Sequence, residues 1–214
     1  MTKKQSDTEI LVERAAAGDG LARQDLLIRH HDRLTRMVAV RLDRRLVSRA
    51  DPADIVQEAL LDAAQNLDDY LRTKPVPYYP WLRQFAWQRL SKLHRHHLGA
   101  QRRDAGREQS WEAALPDHSA ALLAQRLLAN NGTSPSRQAQ RSELRGRVQA
   151  ALANLGERDR EVLVLRHLEM MTTSEIAATL AISEVAVKKR HVRALERLRE
   201  LWRTENPDDH GEYR

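Results

Sequence analysis

Thr172-Thr-Ser-Glu-Ile-Ala-Ala-Thr-Leu-Ala-Ile-Ser-Glu-Val-Ala-Val-Lys-Lys-Arg-His-Val-Arg-Ala-Leu-Glu-Arg-Leu-Arg199 is the stretch on which the reading of this chain turns. Thr172 with Glu175 three residues on is a capping-box signature, so a helix starts there. Ile176, Ala177 and Leu180 give that helix one apolar side. A break at Ala181 and Ile182 follows, then Ser183, a good N-cap for a second helix. At about 100° per residue, Val187, Ala194, Leu198 and Leu201 share one side of it. Ala186, Lys189 and Arg193 fall well away from that side, and Arg190 and Arg197 lie on the flank. A short capped helix, a tight turn and a capped basic helix together predict a helix-turn-helix, with the second helix facing a DNA major groove. Ala181 stands where such turns often carry Gly. The bland alternative is a solvated basic face on a bundle helix.

Working outward, the 214 residues are 41% hydrophobic and 31% charged, enough for one large or two small domains with modest cores. A net charge of +6 and a pI near 10.0 favour an anionic partner. There is no cysteine, so neither a disulfide framework nor a cysteine-based zinc site is expected. No long apolar run suggests a signal peptide or membrane span, and a cytoplasmic protein is expected. No strand alternation is visible, so the expected class is all-α. Helical blocks are expected over 9–103 and 141–203, joined by a flexible linker over 104–140 and followed by a tail over 204–214. The linker carries Asn130-Asn-Gly-Thr-Ser-Pro-Ser136, a loop composition, with a short helix from about Ser119 to Ala129.

The first block contains a charge reversal. From Ala50 to Leu71 there is no Lys or Arg, and from Trp81 to Arg103 there is no Asp or Glu. Val56, Leu60, Ala63 and Leu67 line one side of the acidic segment; Asp51, Asp54, Glu58, Asp62 and Gln65 line the other. Like charges at i, i+4 destabilise a helix by about a few tenths of a kcal/mol per pair. Such a row is either a solvated face or a surface for a basic partner. Six of the nine aromatic residues follow between Tyr70 and Trp87, next to Arg83, Arg89, Lys92 and Arg95. Rings beside cations suit unpaired nucleic acid, with bases stacking on the rings and Arg and Lys holding phosphates. Trp81, Phe85 and Gln88 share a side at i, i+4, i+7. Core packing is the alternative, favoured for Phe85. Pro75, Pro77 and Pro80 are expected to place the tyrosines in or near a loop. His30, His31, His94, His96 and His97 match no metal-ligand spacing and are expected to be exposed or phosphate-facing. His191 is expected at the edge of the core.

Four motifs occur in a telling order: Asp51-Pro-Ala-Asp-Ile-Val-Gln-Glu-Ala59, Tyr79-Pro-Trp-Leu-Arg-Gln-Phe-Ala86, Leu155-Gly-Glu-Arg-Asp-Arg-Glu-Val-Leu163 and the helix-turn-helix. Together they resemble the extracytoplasmic-function (ECF) sigma factors of bacterial RNA polymerase, over about Leu21–Arg103 and Arg141–Arg203. The resemblance implies two helical domains and no enzymatic activity or cofactor. It implies that Asp51, Asp54, Gln57, Glu58 and Asp62 dock on core polymerase, through the β′ clamp, with β as a further contact. It implies that Tyr79, Trp81, Gln84, Trp87, Gln88, Arg89, Lys92 and Arg95 serve the promoter −10 element, with the loop from Arg72 to Tyr79 as a pocket for an extruded base. It implies that Ser183, Glu184, Ala186, Lys188, Lys189, Arg190 and Arg193 read the −35 duplex. The proline-rich loop Thr73 to Tyr79 departs from the usual short polar version. Control would come from an anti-sigma protein, a kinase or synthesis level, and Thr133, Ser134 and Ser136 are candidate phosphorylation positions in what otherwise reads as linker. The rivals are a stand-alone helix-turn-helix regulator, with no use for an acidic row, and a pure interaction module. A nuclease fits less well, because the acidic residues lie on one outward stripe with no converging partner.

Overall fold

The computed structural model describes residues 3–47, 49–98, 116–129 and 138–204. Thr133, Ser134 and Ser136 lie outside them, as do Arg102 and Arg103. Among the described residues the regular structure is entirely helical. The chain divides into two compact units, Met1–Trp111 and Glu112–Arg214, each described here by itself.

In the first unit, α1 (Lys3–Ala16) and α2 (Gly20–Arg29) are joined by a tight turn. Gly18 takes φ +94° there, and Asp19 caps α2 by accepting from the Leu21 and Ala22 amides. Helix α3 (His31–Arg41) and a 3₁₀ turn (Arg44–Leu46) lead to the two long helices, α4 (Pro52–Thr73) and α5 (Tyr78–Leu98). Asp51 caps α4, accepting from the Ala53 amide at 2.8 Å, and Pro52 fills the first turn, where no backbone donor is needed. Lys74 ends α4 in the left-handed region at φ 41°. Helices α4 and α5 form a hairpin, with α3 packed on both and α1 on α2 and α4. Leu26, Leu34, Met37, Val38, Val56, Ala59, Ala63, Leu82, Ala86 and Leu90 fill the core. On α4 the apolar side is as the periodicity predicts, widened by Ile55 and Ala59, while Leu60 is half-buried.

The aromatic segment differs from expectation. Tyr78, Tyr79 and Pro80 are not in a loop but open α5 and are buried. Proline is tolerated in a first helical turn because the amide it lacks has no intrahelical partner. Tyr70 stacks on Trp81 at 4.5 Å between ring centroids, Tyr78 meets both rings, and Phe85 meets Trp81 edge-on at 5.1 Å. The Tyr70 hydroxyl donates to the Val76 carbonyl and holds the connecting loop down. The rings thus form the seam between the end of α4 and the start of α5.

In the second unit, the helix expected within the 104–140 stretch forms as α6 (Asp117–Ala129) and packs on α7 (Gln138–Asn154) and α8 (Glu157–His167). Leu123 is fully buried in that contact. Arg126 of α6 donates to the His167 carbonyl at 2.6 Å, satisfying a carbonyl at the end of α8 that has no intrahelical partner. This much of the stretch read as linker therefore belongs to the second unit. Helices α9 (Thr173–Leu180) and α10 (Glu184–Thr204) complete it, with α10 packed on α7, α8 and α9. Among the described residues no helix is long and apolar enough to cross a membrane.

Candidate nucleic-acid interface

The helix-turn-helix forms from local signals. Both halves of the capping box are made: Thr172 Oγ1 accepts from the Glu175 amide, and Glu175 accepts from the Thr172 amide at 2.8 Å. Ala181 closes α9 in the left-handed region at φ 51°, and the Ile182 amide bonds back to the Ala177 carbonyl. An alanine there is strained, because its Cβ crowds the following carbonyl. Ser183 then caps α10, accepting from the Ala186 amide at 3.1 Å. Val187, Ala194 and Leu198 are buried, as the periodicity predicts. Ser183, Glu184, Lys188, Lys189 and Arg193 are exposed, while Ala186 and Arg190 are half-buried.

Two contacts aim α10. Arg197 pairs with Asp159 of α8, a carboxylate that is itself buried. His167 of α8 and His191 of α10 meet with their Nε2 atoms 3.0 Å apart and their rings stacked. Burial, then His191, Arg166 and Arg126, push the His167 pKa down to about 4, and burial with Arg166 also lowers that of His191. Near neutral pH both rings are therefore uncharged, and one can donate to the other.

In the first unit the acidic row is outward. Asp54, Gln57 and Glu58 are exposed, and Asp51 is committed to its cap. Asp62 is engaged: Arg89 of α5 holds both its oxygens at 2.7 Å and reaches Glu58 at 3.0 Å. One residue expected at DNA thus clasps two expected at a protein partner. Of the others on α5, Gln84, Gln88, Lys92 and Arg95 are exposed and share one stripe at helical spacing. Tyr79 and Trp81 are not available on that surface, at 2% and 8% exposed. The Arg33 guanidinium covers the Tyr79 ring at 3.5 Å, and Tyr70 and Tyr78 cover Trp81. Trp87 is half-buried, with Arg41 and Arg83 each 5.3 Å from its ring centre. His94 is buried rather than phosphate-facing: its Nε2 accepts from the Asp43 amide, and burial lowers its pKa.

The Sigma-70 region 4 family matches residues 151–200, which carry the end of α7, all of α8 and α9 and most of α10. Over 192 residues the chain is 30% identical to the ECF RNA polymerase sigma factor ShbA of Streptomyces griseus, covering 89% of this chain and 93% of that one. This chain belongs to the ECF RNA polymerase sigma factors. The probable RNA polymerase sigma factor RfaY of Xanthomonas campestris is 33% identical over 147 residues; that stretch is 66% of this sigma factor but only 31% of the relative's own length. Among solved structures, CnrH in complex with the cytosolic domain of CnrY is 25% identical, covers 92% of this sigma factor and 97% of that chain, and has a TM-score of 0.49.

Sequence reasoning missed three features of this sigma factor. Asp159 lies inside a quoted motif but signalled nothing until its partner Arg197 was placed beside it. The Arg89 clasp pairs residues 27 and 31 positions apart, beyond any local rule. Val185 and Val192, both exposed on α10, were legible from their angles, about 160° and 140° from Val187.

Proposed function

We propose that this chain binds core RNA polymerase and directs promoter-specific initiation, supplying specificity and no chemistry of its own. The observation that carries this is the doubly capped α9–α10 pair, with its packing side buried and Lys188, Lys189 and Arg193 outward, inside the region 4 match. In this reading α10 lies in the −35 major groove with Ser183, Glu184, Ala186, Lys188, Lys189, Arg190 and Arg193 toward the DNA. Asp54, Gln57 and Glu58 meet a basic surface of core polymerase, with Asp62 joining when Arg89 lets go. Gln84, Gln88, Lys92 and Arg95 track the unpaired −10 strand, with the half-buried rings of Phe85 and Trp87 on its two flanks. Tyr79 and Trp81 support this face from within the seam.

The reading places the chain in the cytoplasm, where its polymerase works, and puts its control in a separate anti-sigma protein or kinase. The test is gel filtration with sigma-free bacterial core polymerase, then run-off transcription on genomic fragments. Co-elution with new start sites is expected. Duplex binding by the chain alone, without co-elution, would instead identify a stand-alone helix-turn-helix regulator.

A further inference from the structure

The outward side of α10 is polar or charged at Lys188, Lys189, Arg193 and Glu196, but Val185 interrupts it in the first turn and Val192 two turns on. Val185 is 61% exposed. It lies about 160° from the buried Val187, so no repacking within this unit would cover it. Ser183 and its bond to the Ala186 amide hold that turn, so the position of Val185 is set by the cap. Single exposed valines are ordinary on protein surfaces. On a helix that enters a major groove, however, the residues of the first turn are those that reach base edges. The one apolar feature a base pair presents there is the C5-methyl of thymine. A β-branched side chain with two methyl groups and few rotamers suits that contact at little entropic cost.

Resting on the −35 reading above, we propose that Val185 is a specificity determinant that reads a thymine methyl group in the −35 duplex. Lys189 one turn on shares its outward side and Glu184 precedes it in the exposed first turn, so polar readers neighbour an apolar one. Burying one methyl-sized group corresponds to about a fourfold change in affinity.

The test uses the full chain with core polymerase and a −35 duplex selected from random sequence by that holoenzyme. Each thymine is replaced singly by deoxyuridine, which removes the methyl group and leaves the hydrogen-bonding edge unchanged. One position is expected to lose about fourfold in binding with the wild-type chain. Val185→Ala should lose a similar factor on the unmodified duplex and nothing further when that position is deoxyuridine. Two results overturn the proposal while leaving the −35 reading in place. One is that no deoxyuridine position matters; the other is that the losses from the variant and the base multiply. If the wild-type holoenzyme selects no duplex, the −35 reading fails and the proposal with it. Core binding by Val185→Ala, expected unchanged, guards against misfolding.

Discussion

The helical pairs α4–α5 and α9–α10 were both read from strong patterns, yet the patterns were of different kinds. In α9–α10 the signals were backbone signals: Thr172 with Glu175, the break at Ala181, Ser183. Each acts over three or four residues, and each is realised in place. In α4–α5 the signals were blocks of charge and aromatic side chains, read as surfaces for separate partners. The structure turns part of both inward, onto each other: Arg89 clasps Asp62 and Glu58, and the rings pack along the hairpin. A cap has its partner within one turn, whereas a charge or a ring takes whichever complement the tertiary fold brings near. Periodicity therefore ranks the sides of a helix but does not say which side a neighbouring helix covers.

Truncating the seam breaks this comparison most sharply. Trp81→Ala should destabilise the first unit by about 3–5 kcal/mol, as loss of a large buried ring does, seen as an early transition in urea followed by circular dichroism. A variant that kept its stability and lost only −10 capture would return Trp81 to the DNA-facing set. Next is charge reversal at the two outward carboxylates of the acidic row, one of which, Glu58, also meets Arg89. Asp54→Lys with Glu58→Lys should weaken core binding on the order of 100-fold with helicity unchanged. Unaltered holoenzyme formation would leave the row as a solvated face.

The second unit carries a pH dependence. Unfolded, His167 titrates near its ordinary value of 6.5; folded, it is held down to about 4. Between those values the unfolded chain binds a proton that the folded one does not. Stability is thus fully present above about pH 6.5 and is lost as pH falls toward about 4, by at most about 2 kcal/mol at pH 5. The depressed pKa of His191 acts in the same direction. His167→Gln should flatten the slope of melting temperature against pH, and an unchanged slope would place the acid sensitivity elsewhere. The smallest effect sharpens the comparison on its local side. Ala181→Gly relieves a left-handed alanine and should stabilise the unit by about 1 kcal/mol, read as a rise in its denaturation midpoint. A loss there would mean that the turn is not held as the cap geometry implies.

By itself the sequence determined the all-helical class, both caps of the helix-turn-helix, the buried side of α10 with Val187, Ala194 and Leu198, and the apolar side of α4. These follow from rules of one to three turns, which a sequence displays directly. It also determined that Asp54, Gln57 and Glu58 face outward, since the periodicity of α4 sets them away from its apolar side. Only the tertiary structure decided that Tyr79 and Trp81 are seam rather than surface, that His94 is buried, that Arg89 is bound to Asp62, and that α6 belongs with the second unit. Each of those outcomes depends on a partner more than twenty residues away in sequence or on the covering of one helix by another. Local spacing carries no information about either, and the burial of competing side chains settles both.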